Sequence, residues 1–398
     1  MSETPPVRLA ADARAGTGRP PLPERLSSLD FFRGITIAGM ILVNNNGDWS
    51  TAYWPLRHAD WNGWTPTDLV FPFFLFIVGV SMVFSFASRL ERGNSRGEIM
   101  KHVVWRGAIL FAVGIFVINS FPDHYNLSTI RVEGVLQRIA LCYVVSSVIY
   151  LLLGNRGRLA AIVTCLVGYW ILMRYVPVPG FGVPARDIPL LDPDRNLAAW
   201  LDRRILMGHL YEGTRDPEGL LSTIPAIAGT LCGVLTGEWL RSNRSPRAKW
   251  MWMLILGVAG LIAGKFFNIW FPINKKLWTS SYVLFTTGFA LVVLGLCYWL
   301  LDVRKFRGRW TMPVLVFGMN AIAAYVFSEV LASVFVSIHS GLAKYGDVNL
   351  QEIIYYSVFS SPESPPSANA SLLYSLAFVF VCWLPMWVLY RKRLFLKI

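Results

Sequence analysis

The chain has 398 residues, of which 54% are hydrophobic and only 15% are charged. A soluble domain carries about 25% charged residues, so this composition excludes an ordinary soluble protein. The formal net charge of +13 comes from Lys and Arg spread over many short loops. We therefore interpret the positive charge as attraction to anionic membrane lipids and not as nucleic-acid binding.

Ten apolar stretches approach the length of a transmembrane helix, which needs about 20 mostly apolar residues. They predict an all-α, polytopic integral membrane protein with about ten transmembrane helices. The ninth stretch is long enough to break near Gly318 or Ser328. The ten predicted spans are 31–43, 69–87, 103–119, 135–153, 159–176, 221–240, 250–271, 278–301, 312–338 and 371–390.

Lys and Arg are concentrated in every second loop between these spans and at both ends of the chain. By the positive-inside rule, this pattern predicts that both termini are cytoplasmic. Residues 1–24 are rich in Pro, Ala, Gly and Arg and are predicted to be a disordered cytoplasmic arm. Extracytoplasmic loops are then expected near 44–67, 177–219 and 341–370.

The first span carries polar groups at both of its ends. Asp30 and Arg33 either pair with each other, three residues apart on a helix, or form a phosphate site for a cytosolic cofactor. At the outer end, VNNNGDW offers the amides of Asn44 and Asn45 to a carbonyl oxygen that develops negative charge. A helix C-cap made of Asn and Gly is an equally good explanation of the same residues.

The stretch HADWNGWTPTDLVFPFFLF places His58 directly before the second span, together with Trp61, Asn62 and Asp68. Imidazole accepts and returns protons near neutral pH and can also be acylated itself. We therefore interpret His58 as a catalytic candidate, against the alternative of a surface histidine in an interfacial aromatic belt. The TPTD segment is a helix-capping pattern, so Asp68 either serves only as a cap or also orients the His58 ring.

Other polar residues fall inside predicted spans, where they are costly and therefore candidates for function. Arg138 lies in GVLQR, about one turn inside the fourth span, and Asn320 and Glu329 lie in the ninth. These residues either line a polar cavity or pair with one another. The five cysteines all sit in apolar stretches without metal-like spacing, so no metal site is predicted.

Two outer turns are further binding candidates. DPEGLLSTIPAI, which contains Asp216 and Glu218, meets the start of the sixth span, and FPINKKLWTSSY, which contains Lys275, joins the seventh span to the eighth. Each turn either binds an anionic or sugar substrate or is a simple interfacial connection.

Several blocks of this sequence resemble, in the same order, the heparan-alpha-glucosaminide N-acetyltransferase family. The blocks are RLSSLDFFRGITIAGMILVNN, HADWNGWTPTDLVFPFFLFIVGVSM, GVLQRIALCY, DPEGLLSTIPAIAGTLCGVLTG, FPINKKLWTSSYVL and GMNAIAAYVFSEV. The resemblance implies a transmembrane acyltransferase domain over residues 25–398. Its implied reaction moves acetyl from acetyl-CoA to the amine of a terminal glucosamine across a membrane. Bacterial members of the family are associated with N-acetylglucosamine use, which implies location in the bacterial inner membrane.

The resemblance also implies roles for individual residues. It puts the active histidine at His58, the helix-ending asparagine at Asn44, the carboxylate at Asp68 and the GVLQR arginine at Arg138. His58 would then act as general base or transient acetyl carrier, Asp68 would orient it, and Asn44 or Asn45 would stabilise the oxyanion. Acetyl-CoA is expected to enter from the cytoplasmic side, with its thioester reaching the outer leaflet.

Two sets of binding residues and two rival functions complete the expectations. The resemblance to the family implies a homodimer. It also leads us to expect a histidine directly before Glu329, where this sequence has Ser328. The rivals are an amino-sugar transporter, and an acyltransferase that acts on a polysaccharide or lipid hydroxyl. The expected acetyl-CoA contacts are Arg33, Arg138 and Asn320, and the expected acceptor contacts are Trp61, Asn62, Asp216, Glu218, Lys275 and Glu329.

Overall fold

A computed structural model describes residues 26–121, 125–340, 348–361, 365 and 367–396. Within these ranges the regular secondary structure is almost entirely helical, and the β-structure comprises one pair of two-residue strands and two isolated bridges. The predicted all-α class is therefore confirmed. The predicted disordered arm, 1–24, lies outside the described residues, as does part of the predicted loop 341–370.

Thirteen α-helices are formed by the described residues, several of them extended by a tighter or wider turn. A 3₁₀ turn precedes α2 and α10, and a π-helical turn continues α3, α9 and α12. The helices are α1 Ser27–Asn44, α2 Val70–Glu91, α3 Arg96–Val113, α4 Val135–Leu152, α5 Asn155–Tyr175, α6 Leu197–Leu206, α7 Thr223–Arg241, α8 Pro246–Phe267, α9 Ser280–Tyr298, α10 Met312–Met319, α11 Ala321–Ser337, α12 Leu350–Ile354 and α13 Ala368–Arg391. The strands β1 His339–Ser340 and β2 Val348–Asn349 pair antiparallel.

Seven helices in the described part of the chain are long and apolar enough to cross a membrane. An eighth span is formed if α10 and α11, which meet at a bend of 76°, count as one broken helix. The other two predicted spans form the helices α1 and α7, which are not among those seven or eight. The protein thus has the helices of a polytopic membrane protein, and the total of ten spans stays a prediction.

The bend between α10 and α11 falls at Asn320, close to the predicted break at Gly318. The Asn320 side chain donates to the Leu394 carbonyl, at 3.2 Å, and accepts from the Leu396 backbone N–H, at 2.9 Å. The amide therefore holds the segment after α13 against the broken point of the helix pair. Asn and Gly at the break explain why the long apolar stretch does not continue as one helix.

The connections between helices gather at two ends of the bundle. At one end, the end of α2 meets the end of α7 through an ion pair between Glu91 and Arg241, 2.8 Å apart. At the other end, the segment that follows α1 contacts those that precede α7 and α9, as described below. The grouping of the connections at two ends agrees with the sequence, in which every second loop between predicted spans is rich in Lys and Arg.

Helix α2 lies in the interior of the bundle and packs extensively on α7. The two backbones approach closely at glycines: a methyl group added at Gly79 would lie 2.0 Å from the Thr230 carbonyl oxygen, and one at Gly233 would lie 2.1 Å from that of Phe76. Small residues at helix interfaces allow such close approach in membrane proteins. Since α2 follows directly from the segment with His58, this packing fixes the base of the site.

We expect Gly79→Ala to destabilise the protein, because the added methyl group would push α2 away from α7. Overpacking of this kind costs about 1–3 kcal/mol. The matched control is Gly168→Ala in α5, where an added methyl group would have nothing within 4 Å. The midpoint of thermal unfolding in detergent should fall for Gly79→Ala and stay the same or rise for Gly168→Ala. Equal midpoints for the two variants would contradict the close packing.

Candidate functional site

Asp68 is the buried carboxylate around which the site is built. It is 1% exposed and lies in the 3₁₀ turn Pro66–Leu69 at the start of the second span. Its Oδ2 accepts hydrogen bonds from the backbone N–H groups of Ala59, at 3.1 Å, and Thr65, at 2.9 Å. The second bond, together with the Thr65 side chain, completes the capping box that the sequence predicted.

The other oxygen of the same carboxylate faces His58. Asp68 Oδ1 lies 2.7 Å from Nδ1 of His58, and the His58 side chain is 37% exposed. One oxygen of Asp68 thus caps the helix and the other contacts the imidazole, so the carboxylate does more than cap. Its role in orienting the ring for catalysis stays a prediction. With the Nδ1 proton donated to Asp68, Nε2 is the ring nitrogen that can accept a proton.

Lys275 approaches the same imidazole from the turn between α8 and α9. Its Nζ lies 3.0 Å from Nδ1 and 3.2 Å from Nε2 of His58, and 3.7 Å from Oδ1 of Asp68. Burial lowers the pKa of His58 from its ordinary value of 6.5, and the Lys275 charge lowers it further, while the bond to Asp68 opposes both effects. The imidazole is therefore neutral at pH 7 and suited to act as a base.

Backbone and amide contacts between distant segments hold His58 and Lys275 together. The Gly63 N–H donates to the Ile273 carbonyl at 2.8 Å, and Asn274 donates from Nδ2 to the Asn62 side chain at 3.2 Å. Trp61 donates from its indole nitrogen to the Leu191 carbonyl at 2.8 Å. Trp61 and Asn62 thus serve as anchors of the loop in this structure, and their predicted contact with the acceptor stays a prediction.

An ion-pair cluster lies beside the histidine. Arg131 Nη2 contacts Oδ1 of Asp216, at 2.6 Å, and also a carboxylate oxygen of Glu218. The negative charge of Glu218 acts on His58 and on Lys275, and it raises the pKa of each. The DPEG turn and the FPINKK turn therefore belong to one site with His58, and Asp216 is engaged mainly by Arg131.

Arg131 and the neighbouring Glu133 were missed by sequence analysis, although they directly precede the GVLQR block. Glu133 is 3% exposed, and its Oε2 has no hydrogen-bond partner among the described residues. Burial raises its pKa to about 7, a rise that the charge of Arg138 opposes. The sequence did offer a signal for these residues, because the opposite charges of Arg131 and Glu133 lie beside Gly134, directly before an apolar helix.

Arg138 is completely buried near this cluster. Its Nη2 donates to the Gly219 carbonyl, at 3.1 Å, and to the Ser222 hydroxyl. The guanidinium also lies over the Trp278 ring, 4.9 Å from its centroid. Nε and Nη1 of Arg138 have no hydrogen-bond partner in the described part of the chain. The arginine therefore ties the DPEG turn to α4, and its predicted contact with acetyl-CoA stays a prediction.

The amides at the end of α1 divide into two kinds. Asn45 donates from Nδ2 to the Ile41 carbonyl, at 2.9 Å, and Asn46 donates to the Val43 carbonyl, at 3.3 Å, so these two cap the helix. Asn44 is exposed and donates instead to Oε1 of Glu329, at 3.3 Å. Asn45 and Asn46 thus make the contacts that the helix-cap interpretation requires, whereas the side chain of Asn44 faces another residue predicted to bind substrate. Binding of an oxyanion by Asn44 or Asn45 stays a prediction.

Asn44 and Glu329 line a cavity of about 480 Å³ at the C-terminal end of α11. Amide, carboxylate and hydroxyl groups surround it together with one indole. Sugars bind between such polar groups and aromatic faces. The other lining residues are Asn45, Trp49, Ala332, Ser333, Val336, Ser337, His339 and Gln351.

Arg33 and Asn320, two of the predicted acetyl-CoA contacts, have partners within the protein. Arg33 donates from Nη1 to Asp30, at 2.9 Å, and from Nη2 to the Ser81 hydroxyl, at 2.7 Å. The predicted pairing of Asp30 with Arg33 is therefore present, and it links α1 to α2. Asn320 holds the chain after α13, as described above. Acetyl-CoA binding by these two residues stays a prediction.

The described residues contain no cluster of His, Cys, Asp and Glu that could hold a metal ion. The five cysteines are free thiols within helices. The site therefore offers a histidine, a carboxylate and an amine as its reactive groups.

A multi-span helical protein with a buried carboxylate behind a neutral histidine is the class that the fold and the site define. The model of the family described as "Heparan-alpha-glucosaminide N-acetyltransferase, catalytic" matches residues 25–263, which is more than half of the chain. The chain belongs to this family, and the resemblance noted in its sequence is confirmed.

Two similar proteins are named heparan-alpha-glucosaminide N-acetyltransferase. The human protein is 33% identical over 79% of this chain and 54% of its own length. The mouse protein is 31% identical over 82% of this chain and 56% of its own length. The chain thus spans about half the length of the curated relatives it matches.

The ionisation of Glu133 should make stability depend on pH. Its folded-state pKa of about 7 is above the ordinary value of 4.5, so the folded protein binds a proton that the unfolded chain releases between these pH values. Stability should then fall as pH rises from 4.5 to 7, by roughly 3 kcal/mol in total at 1.36 kcal/mol per pH unit.

The variant Glu133→Gln should lose this dependence and gain stability over the wild type as pH approaches 7. Thermal unfolding midpoints in detergent, measured at several pH values for both proteins, provide the test. Parallel midpoint curves for the two proteins would show that folding does not shift the pKa of this carboxyl, and would contradict the prediction.

Proposed function

We propose that this protein is a transmembrane acetyltransferase that transfers acetyl from acetyl-CoA to the amine of a glucosamine-type sugar. The observation that carries the proposal is the His58–Asp68 pair, with 2.7 Å between Nδ1 and the carboxylate, in a chain of this family. A buried carboxylate behind a neutral imidazole is the arrangement of a general base that is held in one tautomer.

In the proposed reaction, Nε2 of His58 takes a proton from the acceptor ammonium or from the attacking amine. The amine nitrogen then bonds to the thioester carbonyl carbon, the carbon–sulfur bond breaks, and the proton on His58 passes to the departing thiolate. An acceptor that enters as the ammonium form releases its second proton to solvent. Asp68 stabilises the imidazolium that forms between these steps. The same Nε2 is the atom that would carry the acetyl group if the transfer went through an acetyl-histidine.

Asn44 and Asn45 are proposed to stabilise the negative charge that develops on the thioester oxygen. Each amide nitrogen carries two hydrogens, and each has one protein acceptor, namely Glu329 for Asn44 and the Ile41 carbonyl for Asn45. One hydrogen of each amide is therefore left for an oxyanion. We infer that Arg33, Arg138 and Asn320 contribute to acetyl-CoA binding, since the unsatisfied buried nitrogens of Arg138 fit an acceptor oxygen.

Carboxylates near the site suit an amino-sugar acceptor. The charge of Glu218 acts on His58, Asp216 shares Arg131 with Glu218, and Glu329 lines the cavity with Trp49. An ammonium group is stabilised by nearby carboxylates, and a sugar ring packs on an indole face. We propose that Trp61, Asn62 and Lys275 complete the acceptor contacts.

The proposal places the transferase domain over residues 25–398, with about ten spans, cytoplasmic termini and His58 on the extracytoplasmic side. The positive-inside pattern supports this orientation, as does the gathering of alternate loops at opposite ends of the bundle. We further propose location in a bacterial inner membrane, contact with anionic lipids and a homodimer.

The proposal is tested by CoA release from acetyl-CoA, with and without glucosamine, by purified protein in detergent. We expect amine-dependent release by the wild type and a loss of at least about 100-fold in His58→Ala and Asp68→Asn, as is typical when a general base is removed or held in the wrong tautomer. His102→Ala, a histidine of α3 at the opposite end of the bundle, is the matched control.

Each rival function has its own outcome in this assay. Uptake of glucosamine into proteoliposomes without acetyl-CoA, and no release of CoA, would replace the proposal with a transporter. Release of CoA with a polysaccharide or lipid hydroxyl but not with an amine would retain the donor and change the acceptor.

The dependence of kcat/KM on pH should show the pH at which His58 becomes protonated. Because burial and Lys275 lower the pKa of His58 below 6.5, kcat/KM should fall with decreasing pH only below that value. In Lys275→Gln, the pKa of His58 should rise and this acidic limb should move to higher pH.

Lys276→Gln is the matched control for this shift, because Lys276 pairs with Glu212 at 2.9 Å and not with His58. Ionisation of the acceptor amine affects all three proteins alike and therefore cancels in the comparison. An acidic limb at the same pH in all three would mean that His58 is not the base or that Lys275 does not act on it.

A further inference from the structure

Two consecutive lysines in the turn between α8 and α9 have different surroundings. Nζ of Lys275 lies 3.0 and 3.2 Å from the two ring nitrogens of His58, and it is mostly shielded from solvent, with 19% of the side chain exposed. Nζ of Lys276 donates to Oε1 of Glu212, at 2.9 Å. One primary amine of the chain itself therefore lies within hydrogen-bond distance of the proposed base.

The surroundings of Lys275 make its amine a better nucleophile than an exposed lysine. Burial lowers the pKa of Lys275 from its ordinary value of 10.5, and Lys276 lowers it further, while Asp68 and Glu218 oppose this effect. A lower pKa increases the neutral fraction of the amine near neutral pH, and the neutral amine is the nucleophilic form. Nε2 of His58 is in place to accept the proton that remains on the ammonium form.

We propose that Lys275 is a self-acetylation site, which takes the acetyl group of acetyl-CoA when no sugar amine occupies the site. This inference rests on the proposed function. The Lys275 ammonium gives a proton to Nε2 of His58, and the neutral Nζ attacks the thioester carbonyl carbon. The nitrogen–carbon bond forms first and gives a tetrahedral adduct, whose collapse breaks the carbon–sulfur bond. As the tetrahedral adduct collapses, Nζ loses a second proton to solvent, and His58 returns the first to the thiolate, giving acetyllysine and CoA.

The geometry also predicts how the modification affects the enzyme. In the absence of acceptor, Lys275 occupies the position beside Nε2 that an acceptor amine needs, so sugar and lysine compete for one place. Acetylation removes the lysine charge and adds an acetyl group at that place. The sugar should therefore protect Lys275, and acetylated protein should transfer more slowly.

Peptide mass spectrometry of the full-length protein in detergent, after incubation with acetyl-CoA without sugar, tests the proposal. An acetyl group adds about 42 Da, and fragment ions distinguish Lys275 from Lys276 in the same peptide. We expect Lys275 to be acetylated at least about 10-fold more than Lys276, because general-base catalysis contributes 100-fold or more. Saturating glucosamine should lower the Lys275 signal, and His58→Ala should reduce it to the level of Lys276.

The variant Lys275→Arg keeps the positive charge and removes the acceptor amine. It should lose the slow CoA release that the wild type shows without sugar. If Lys275 and Lys276 are acetylated equally in the wild type while glucosamine still drives CoA release, the self-acetylation proposal is wrong and the proposed function stands. If neither lysine acetylation nor amine-dependent CoA release occurs, both proposals are wrong.

Discussion

The carboxylate of Asp68 is the group on which the rest of the candidate site depends. An ionised carboxylate that is almost completely buried is costly unless its oxygens are hydrogen-bonded. Here one oxygen accepts backbone N–H groups of Ala59 and Thr65, and the other faces Nδ1 of His58. Because one group both caps the second span and contacts the imidazole, the ring is tied to the start of that helix. A fixed ring suits the proposed base, because the rate of proton transfer depends on how well Nε2 is aligned with the reacting amine.

Local sequence predicted the helices well because apolar length and capping residues are local signals. Each of the ten predicted spans coincides with a helix or, for 312–338, with the pair α10 and α11. The bend of that pair depends on the side chain of Asn320, which holds a segment about 75 residues away, so its position could be predicted only approximately. The short helices α6 and α12 carry no long apolar stretch and were not predicted.

The candidate site was predictable only as far as its residues are close in the sequence. His58 and Asp68 are ten residues apart, and their pairing was one of two interpretations of the capping pattern. Lys275 is 217 residues from His58, and its approach depends on how two loops meet through backbone bonds that no residue pattern encodes. The same is true of Arg131, which reaches the DPEG turn 85 residues later.

The charged side chains of the candidate site form one electrostatic cluster. Arg131 lies between Asp216 and Glu218, while Lys275 lies beside Asp68 and within the electrostatic influence of Glu218. Glu218 therefore acts on both cations, and three carboxylates face two cations in this cluster. A protonated acceptor amine that comes beside Nε2 of His58 also meets the Lys275 ammonium, which lies 3.2 Å from that nitrogen. Because the two positive charges repel at this distance, either Lys275 moves away or one of the amines loses a proton. The lysine thus favours an acceptor that arrives as a neutral amine or loses its proton to His58 on binding, which is the form that can attack a thioester.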